Sequence, residues 1–349
     1  MSDAIRQQWQ AATQPPRDAM PPDGTALVAG LVDREVIVVS GSEARAFLQA
    51  ILTQDIASLA DDAATFAALC NAKGRTLGLF RVVAHDDRFF LVTRADIAPA
   101  LQKRLQMYVL RRDVQIERLG DWVALGVILP DGLSGTLAAP AVTGMLERLA
   151  GPQGEDAPRW PAGVDTDGLL YVREEVGDTR RIAIHGPIDR LQALVESVPA
   201  ESRVATGAWD RAEIEDRIPL VDSDTVEHFV PQWINLDELG AFSLKKGCYP
   251  GQEVIARLYY LGKPNRRLFV GHALALDPPA PGTPVETTAG STAGEVVRSA
   301  PLPDASGSII LAVIKLKHLH DSLSIDGLAL SIDQHGAPGA EMAQAGTPH

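Results

Sequence analysis

The chain has little cysteine, no long apolar run and none of the short motifs that announce the common enzyme classes. Its two cysteines, Cys70 and Cys248, are too few for a secreted disulfide scaffold and fit a reducing cytoplasm. They are also too few for one chain to house an iron–sulfur cluster, which takes about four thiolate ligands. No apolar stretch approaches the ~20 residues of a membrane-spanning helix. The polar start, MSDAIRQQWQAATQPPRDAMPPDG, has no apolar core of the signal-peptide kind. A cytoplasmic protein without a membrane partner is expected. Its 32 basic residues face 45 acidic ones, and the net charge of -13 argues against a broad nucleic-acid footprint. No DNA partner is expected, and any RNA contact has to be local and weak. G-x-x-x-x-G-K-[ST], H-E-x-x-H, C-x-x-C and G-x-S-x-G are all absent. Among the histidines only His318 and His320 lie close together, and two ligands without a third make no zinc site. No metal centre is expected.

What is there is an ordinary globular composition over 349 residues, enough for two or three packed units. Residues 1–24, interrupted by Pro15, Pro16, Pro21 and Pro22, read as a loosely ordered lead-in. A strand is expected over 35–39, then a helix introduced by a capping box of Ser40 and Glu43. Ala44, Phe47, Leu48 and Ile51 give that helix one apolar face, ending near Leu52. Strands over 66–69 and 77–83 flank the turn Cys70-Asn71-Ala72-Lys73-Gly74-Arg75. A strand at 89–93, a helix marked by Ile97, Leu101, Leu105 and Tyr108, and a strand over 109–117 complete a mixed α+β unit. Residues 130–165, rich in Gly, Pro and Ala, read as a boundary, and a second βα pattern begins at Leu169. Beyond Pro264, short β-prone runs between turn signals indicate a small barrel or sandwich. The last dozen residues read as a disordered tail, and no internal repeat is evident.

The most informative stretch runs from Ile218 to Arg267. Within it, Lys246-Gly247-Cys248-Tyr249-Pro250-Gly251-Gln252-Glu253 sets a cysteine among glycines, lysines and a glutamate. The glycines permit tight backbone or close ligand approach, and a cation beside Cys248 favours its thiolate. A glycine-rich turn around an inert cysteine is the plainer alternative. The string K-G-C-Y-x-G-Q-E resembles the signature of the YgfZ-type folate-binding proteins, relatives of the glycine-cleavage aminomethyltransferase. Phe229-Val230-Pro231-Gln232, Asn235-Leu236, Ala256-Arg257, Phe47-Leu48-Gln49, Thr53, Asp55 and the turn at 70–75 extend the likeness over roughly residues 30–270.

The resemblance implies an α+β fold. Aminomethyltransferase-like folate-binding domains over 25–265, in two subdomains meeting near 130–165, would be followed by a C-terminal β-barrel over 266–335. It implies tetrahydrofolate in a central channel and a role, as a monomer, supporting assembly or repair of iron–sulfur enzymes as clients, with an indirect effect on tRNA modification. Trp209 falls where the family has a folate-contacting tryptophan, whose indole suits stacking on a flat ring; a core tryptophan is the alternative. Arg34 stands where the family has its other tryptophan, and a guanidinium also stacks or pairs with a carboxylate. Asp55, Gln232, Lys246, Tyr249, Glu253 and Arg257 complete the implied folate-binding set, and Cys248 is the candidate reactive thiol. Cys70 is read as packed. Lys246, Arg257, Lys263, Arg266 and Arg267 are read as one basic cluster facing folate glutamates or a short piece of RNA. Two other readings stay open, an aminomethyltransferase-like enzyme and a direct tRNA-binding module. Residues 74–80, GRTLGLF, lack the carboxylate that acid–base chemistry on folate needs, so no classical catalysis is expected.

Overall fold

Apolar strands with single charged interruptions build most of this chain. The computed structural model describes residues 1–15, 26–129, 160–165, 168–176, 179–262 and 264–333. Most of the segment expected to hold the subdomain boundary, the C-terminal tail and Lys263 lie outside the described residues. Among the described residues no helix is long and apolar enough to cross a membrane.

An eleven-stranded sheet is formed by β1 (Leu27–Leu31), β2 (Arg34–Ser40), β3 (Ala63–Cys70), β4 (Thr76–His85), β5 (Arg88–Arg94), β6 (Gln115–Arg118), β7 (Trp122–Leu129), β8 (Trp160–Val164), β9 (Leu170–Val176), β10 (Thr179–Pro187) and β11 (Arg203–Val204). Its order is β11-β1-β7-β10-β9-β8-β3-β4-β5-β2-β6. Read outward from the central β3·β8 pair, one half runs β3-β4-β5-β2-β6 and the other β8-β9-β10-β7-β1-β11. The same wiring therefore occurs twice, with β1 inserted in the second copy. The sequence shows no such repeat. At the joint Ala64 pairs with Trp160, whose ring meets Phe66 edge-on at 5.6 Å. The C-terminal strands β12 (Arg266–Ala273), β13 (Pro284–Thr287), β14 (Thr292–Pro301), β15 (Ser308–Lys315), β16 (Leu323–Ile325) and β17 (Leu328–Ile332) close into a barrel where β17 pairs with β12.

The helices follow local pattern except where tertiary contacts outweigh it. In α2 (Ala44–Ile51) the four expected apolar residues are all buried, each large one contributing about 1.5–3 kcal/mol. Its capping box does not form. Ser40 stays in β2, Gly41 turns the chain at φ 109°, and Glu43 instead accepts a hydrogen bond from the Asp113 amide at 2.7 Å. α3 (Ala98–Val109) is where the periodicity puts it, but the strand expected from 109 begins only at Gln115, because Leu110 breaks the helix at φ 52°. The lead-in is not loose throughout. Its first part is α1 (Asp3–Thr13), capped by Ser2 and anchored by the buried Trp9, which donates to the Ala124 carbonyl at 3.0 Å. His318 ends a 3-10 turn that directly follows β15 and is bonded to Asp321 at 2.7 Å. Among the described residues the remaining α-helices are α4 (Ile188–Glu196), α5 (Thr206–Glu215) and α6 (Gln252–Tyr260).

Candidate functional site

The two sequence motifs meet in space. Asn71 builds the β3–β4 turn, its side-chain oxygen accepting from the amides of Lys73 at 2.9 Å and Arg75 at 3.0 Å. Gly251, which opens α6, sits at φ 82° against that turn. A Cβ there would come within 2.5 Å of the Asn71 carbonyl oxygen and 2.7 Å of the Gly74 Cα. Glycine at this place is thus demanded twice, by backbone conformation and by contact. The segment before it is a clamp. Gln232 is buried and donates to the Ile255 carbonyl at 2.7 Å, tethering α6. Asn235 bonds the Leu268 amide and carbonyl, at 3.0 and 3.1 Å, and fixes the loop to the barrel.

Within this frame the K-G-C-Y loop has an inner and an outer side. Lys246 is inward: its Nζ donates to the Leu52 and Gln54 carbonyls and lies 5.0 Å from the Tyr249 ring centroid. Burial lowers its pKa to about 8 against the opposing pull of Asp55, whose own carboxylate accepts from Gln49 at 2.9 Å. Tyr249 is buried with its hydroxyl unpartnered, and burial and the neighbouring Cys70 both push its pKa up. Cys70 is packed, its thiol driven up to about 12 by burial. Cys248 is outward and exposed. Glu253 and Arg257, on the first and last turns of α6, are exposed as well.

The expected basic cluster does not exist as one patch. Lys246 is committed inward, Arg257 is on the exposed helix, and Arg267 is a buried structural residue bonded to the Gln232 carbonyl, Asp237 and Glu238. Only tertiary pairing decides this, which is why adjacent arginines at 266 and 267 have different fates. Arg266 lies 4.5 Å from the Trp233 ring centroid, together with Arg75 at 4.9 Å.

A second feature lies where the two sheet halves, α5 and the barrel converge. Glu213 of α5 is fully buried and is met by Arg34 at 2.9 Å, by Arg81 of β4 and by Arg298 of β14. Burial opposes its ionisation, but Arg298, Arg81, Arg34 and Arg181 together hold its carboxyl well below the usual range. Arg34 also pairs with Asp33, Arg81 with Glu174, Arg298 with Asp210 and Arg181 with Asp216. His185 is buried beside them, and burial, then Arg81 and Arg34, lower its pKa to about 3, so it is neutral at pH 7. Trp209 is 1% exposed; it packs on Gly126 of β7, and the Arg181 guanidinium stands 5.5 Å from its ring centroid. Arg34 and Trp209 thus share one centre, about Glu213, whereas Asp55, Lys246, Tyr249 and Cys248 belong to the motif loop.

That centre is rich in unused polar atoms. Trp209 Nε1, Arg181 Nε and His185 Nε2 are buried with no hydrogen-bond partner, a costly state for polar groups in a protein interior. A flat ring carrying both donors and acceptors, with an aromatic face to stack, fits this donor set. His185, Glu213, Arg81, Arg181 and Arg298 escaped the sequence reading. The available signal was a lone arginine inside an otherwise apolar strand, as in Leu77-Gly78-Leu79-Phe80-Arg81-Val82-Val83.

Comparison with known protein families' models finds no match, but individual relatives are clear. The chain is 33% identical over 234 residues, 67% of each sequence, to a protein of Edwardsiella ictaluri named tRNA-modifying protein YgfZ. It is 30% identical over 297 residues, 84% of this chain and 86% of the relative, to the protein of the same name from Sodalis glossinidius. Among solved structures, aminomethyltransferase T of the glycine cleavage system from Bartonella henselae superposes with a TM-score of 0.65 at 17% identity, covering 94% of this chain and 88% of that one. The fold is accordingly that of the aminomethyltransferases, with a closed six-stranded barrel at its C-terminal end. By sequence, this chain belongs to the YgfZ family.

Proposed function

We propose that the chain is a tetrahydrofolate-binding accessory protein that supports assembly or repair of iron–sulfur enzymes, and through them tRNA modification. The observation that carries the folate part is the set of orphaned buried atoms, Trp209 Nε1, Arg181 Nε and His185 Nε2, around the cationic centre. Trp209, Arg181, His185 and Arg34 are the side chains that would hold the pterin, and bound tetrahydrofolate supplies a carrier for one-carbon units. Neutral His185 offers one donor or acceptor without adding charge beside four arginines. The tRNA link rests on the name borne by the relatives. The accessory role, as opposed to catalysis, is supported by β4, whose first residues, Thr76-Leu77-Gly78-Leu79-Phe80, present no carboxylate. Cys248 is the group available to a client, because it is exposed in a loop whose neighbouring Lys246 and Tyr249 are buried.

Titration with tetrahydrofolate, followed by tryptophan fluorescence and by calorimetry, tests the reading. Saturable quenching is expected in the wild type, and Trp209→Phe should remove most of the optical signal while weakening the calorimetric affinity. Absence of any heat of binding in the wild type would overturn the folate assignment. In cells, Cys248→Ala should lower the activity of iron–sulfur enzymes without lowering the amount of this protein; unchanged activity would remove Cys248 from the proposal.

A further inference from the structure

On the face of the molecule outside the motif contact lies an open cleft of about 920 Å³ between the β3–β4 turn, α3, the Pro231–Ile234 turn and the start of β12. Lys73, Arg75, Arg104 and Arg266 line it together with Tyr108 and Trp233. On a chain of net charge -13 this gathering of cations is conspicuous. Glu227 is the one carboxylate of that lining, and it accepts from the Asn71 side-chain Nδ2 at 3.1 Å. Among the described residues none of the four cations has a carboxylate ion-pair partner. Two of them are ordered by contacts other than charge. Arg75 donates to the His228 carbonyl at 2.6 Å and lies 4.9 Å from the Trp233 ring centroid, while Arg266 lies 4.5 Å from the same ring. The result is a stack of flat groups with an unbalanced positive charge. Trp233 Nε1 and Arg266 Nε are buried and lack acceptors.

We infer that this cleft binds a short single-stranded segment of RNA, with a base on the indole–guanidinium stack and phosphates against Lys73 and Arg104. Single strands expose bases that stack on aromatic rings or on arginine planes. A duplex keeps its bases paired inside, and would leave the stack and the two unserved N–H groups without a ligand. The inference rests on the reading above only in choosing RNA among polyanions, and it does not depend on folate occupancy. It also gives the small family turn at residues 70–75 two duties: Gly74 receives Gly251 on one side, and Lys73 and Arg75 face the cleft on the other.

The test is fluorescence anisotropy of a fluorescein-labelled ten-nucleotide RNA of mixed sequence, free and annealed to its complement, against the full chain at several salt concentrations. The wild type should prefer the single strand, with an affinity that falls as salt rises. For single strands the logarithmic slope is about 0.7 per phosphate contact. Lys73→Glu combined with Arg104→Glu should therefore flatten it by about 1.4 and weaken binding. Trp233→Leu should weaken binding about tenfold or more, as loss of one stacked base does, with less change in slope. Melting temperature and tetrahydrofolate binding of the Lys73/Arg104 variant should equal those of the wild type. Equal affinity for duplex and single strand, or wild-type RNA binding in both variants, would overturn the inference. RNA binding that responds to these variants in a protein that fails to bind tetrahydrofolate would sink the folate reading and leave this one standing.

Discussion

Replacing Glu213 by glutamine takes one negative charge out of the convergence point and changes almost nothing else. The side chain keeps its volume and one carbonyl oxygen, so packing around α5 is preserved. What it loses is the charge that faces Arg34 at 2.9 Å, Arg81 and Arg298. Removing one partner of a buried ion pair costs about 3–5 kcal/mol, because the other is left charged without water. Here Asp33, Glu174 and Asp210 still hold one guanidinium each, so the lower end, about 3 kcal/mol, is expected. At about 2.1 cal/mol/K per residue, a chain of 349 residues shifts by about 1.4 °C per kcal/mol, so the melting temperature falls by roughly 4 °C at pH 7. The pH dependence has a definite sign. The folded-state pKa of Glu213 lies below the ordinary 4.5, so its contribution is complete above that value and is lost as pH falls through the folded-state value. The gap between wild type and Glu213→Gln should thus narrow in acid. Circular dichroism melts at pH 7 and at acid pH measure both. A variant that melts with the wild type at pH 7, or a gap that widens in acid, would refute the account of this centre.

Four other outcomes follow from the geometry. The His185 ring should stay neutral on lowering the pH from 8 to 5 in an NMR titration, since its pKa is about 3. Its depressed value contributes stability above the ordinary 6.5 that is lost as pH falls toward 3, and a midpoint near 6 would contradict its burial. A thiol reagent should label Cys248 rapidly in the native protein and Cys70 only on unfolding, and Cys248→Ser should abolish the rapid phase. Gly251→Ala should destabilise by about 1–3 kcal/mol in urea through strain at positive φ, with the Asn71 contact adding to it. Gly247→Ala, where a Cβ meets nothing within 4 Å, should stay within about 0.5 kcal/mol of the wild type.

How much of this was legible beforehand depends on the range of the interaction. The α2 face, the turn at 70–75, the barrel strands and the packed Cys70 are local patterns, and the residues alone set them. The N-terminal helix was missed because four prolines dominate the reading of that segment, while its anchors are distant in the chain: Trp9 donates to Ala124 and packs beside Leu125 and Leu191, and Gln8 bonds Gln192. The capping box failed for a similar reason: Glu43 finds the amide of Asp113, seventy residues away, instead of that of Ser40. Arg266 and Arg267 look alike in sequence, but Asp237 and Glu238 claim only the second. Trp209 and Arg34, named from family likeness, do meet at one centre, yet the acids and the histidine that define that centre sit on strands and helices far apart in the chain.

The hidden repeat explains why the centre is where it is and why the sequence conceals it. β4 and β9 hold equivalent places in the two halves, each next to a strand of the β3·β8 joint. In a flat sheet with strands about 4.8 Å apart they would be some 14 Å distant, but Arg81 of β4 touches Glu174 of β9. The two long side chains span the joint, and Arg81 reaches on to Glu213 of α5. The centre is therefore closed by residues from both halves and from a helix outside the strands of either. A charge pattern that pairs one half with the other is written in neither half alone, so the repeat shows in the strand order and not in the residues that close the centre.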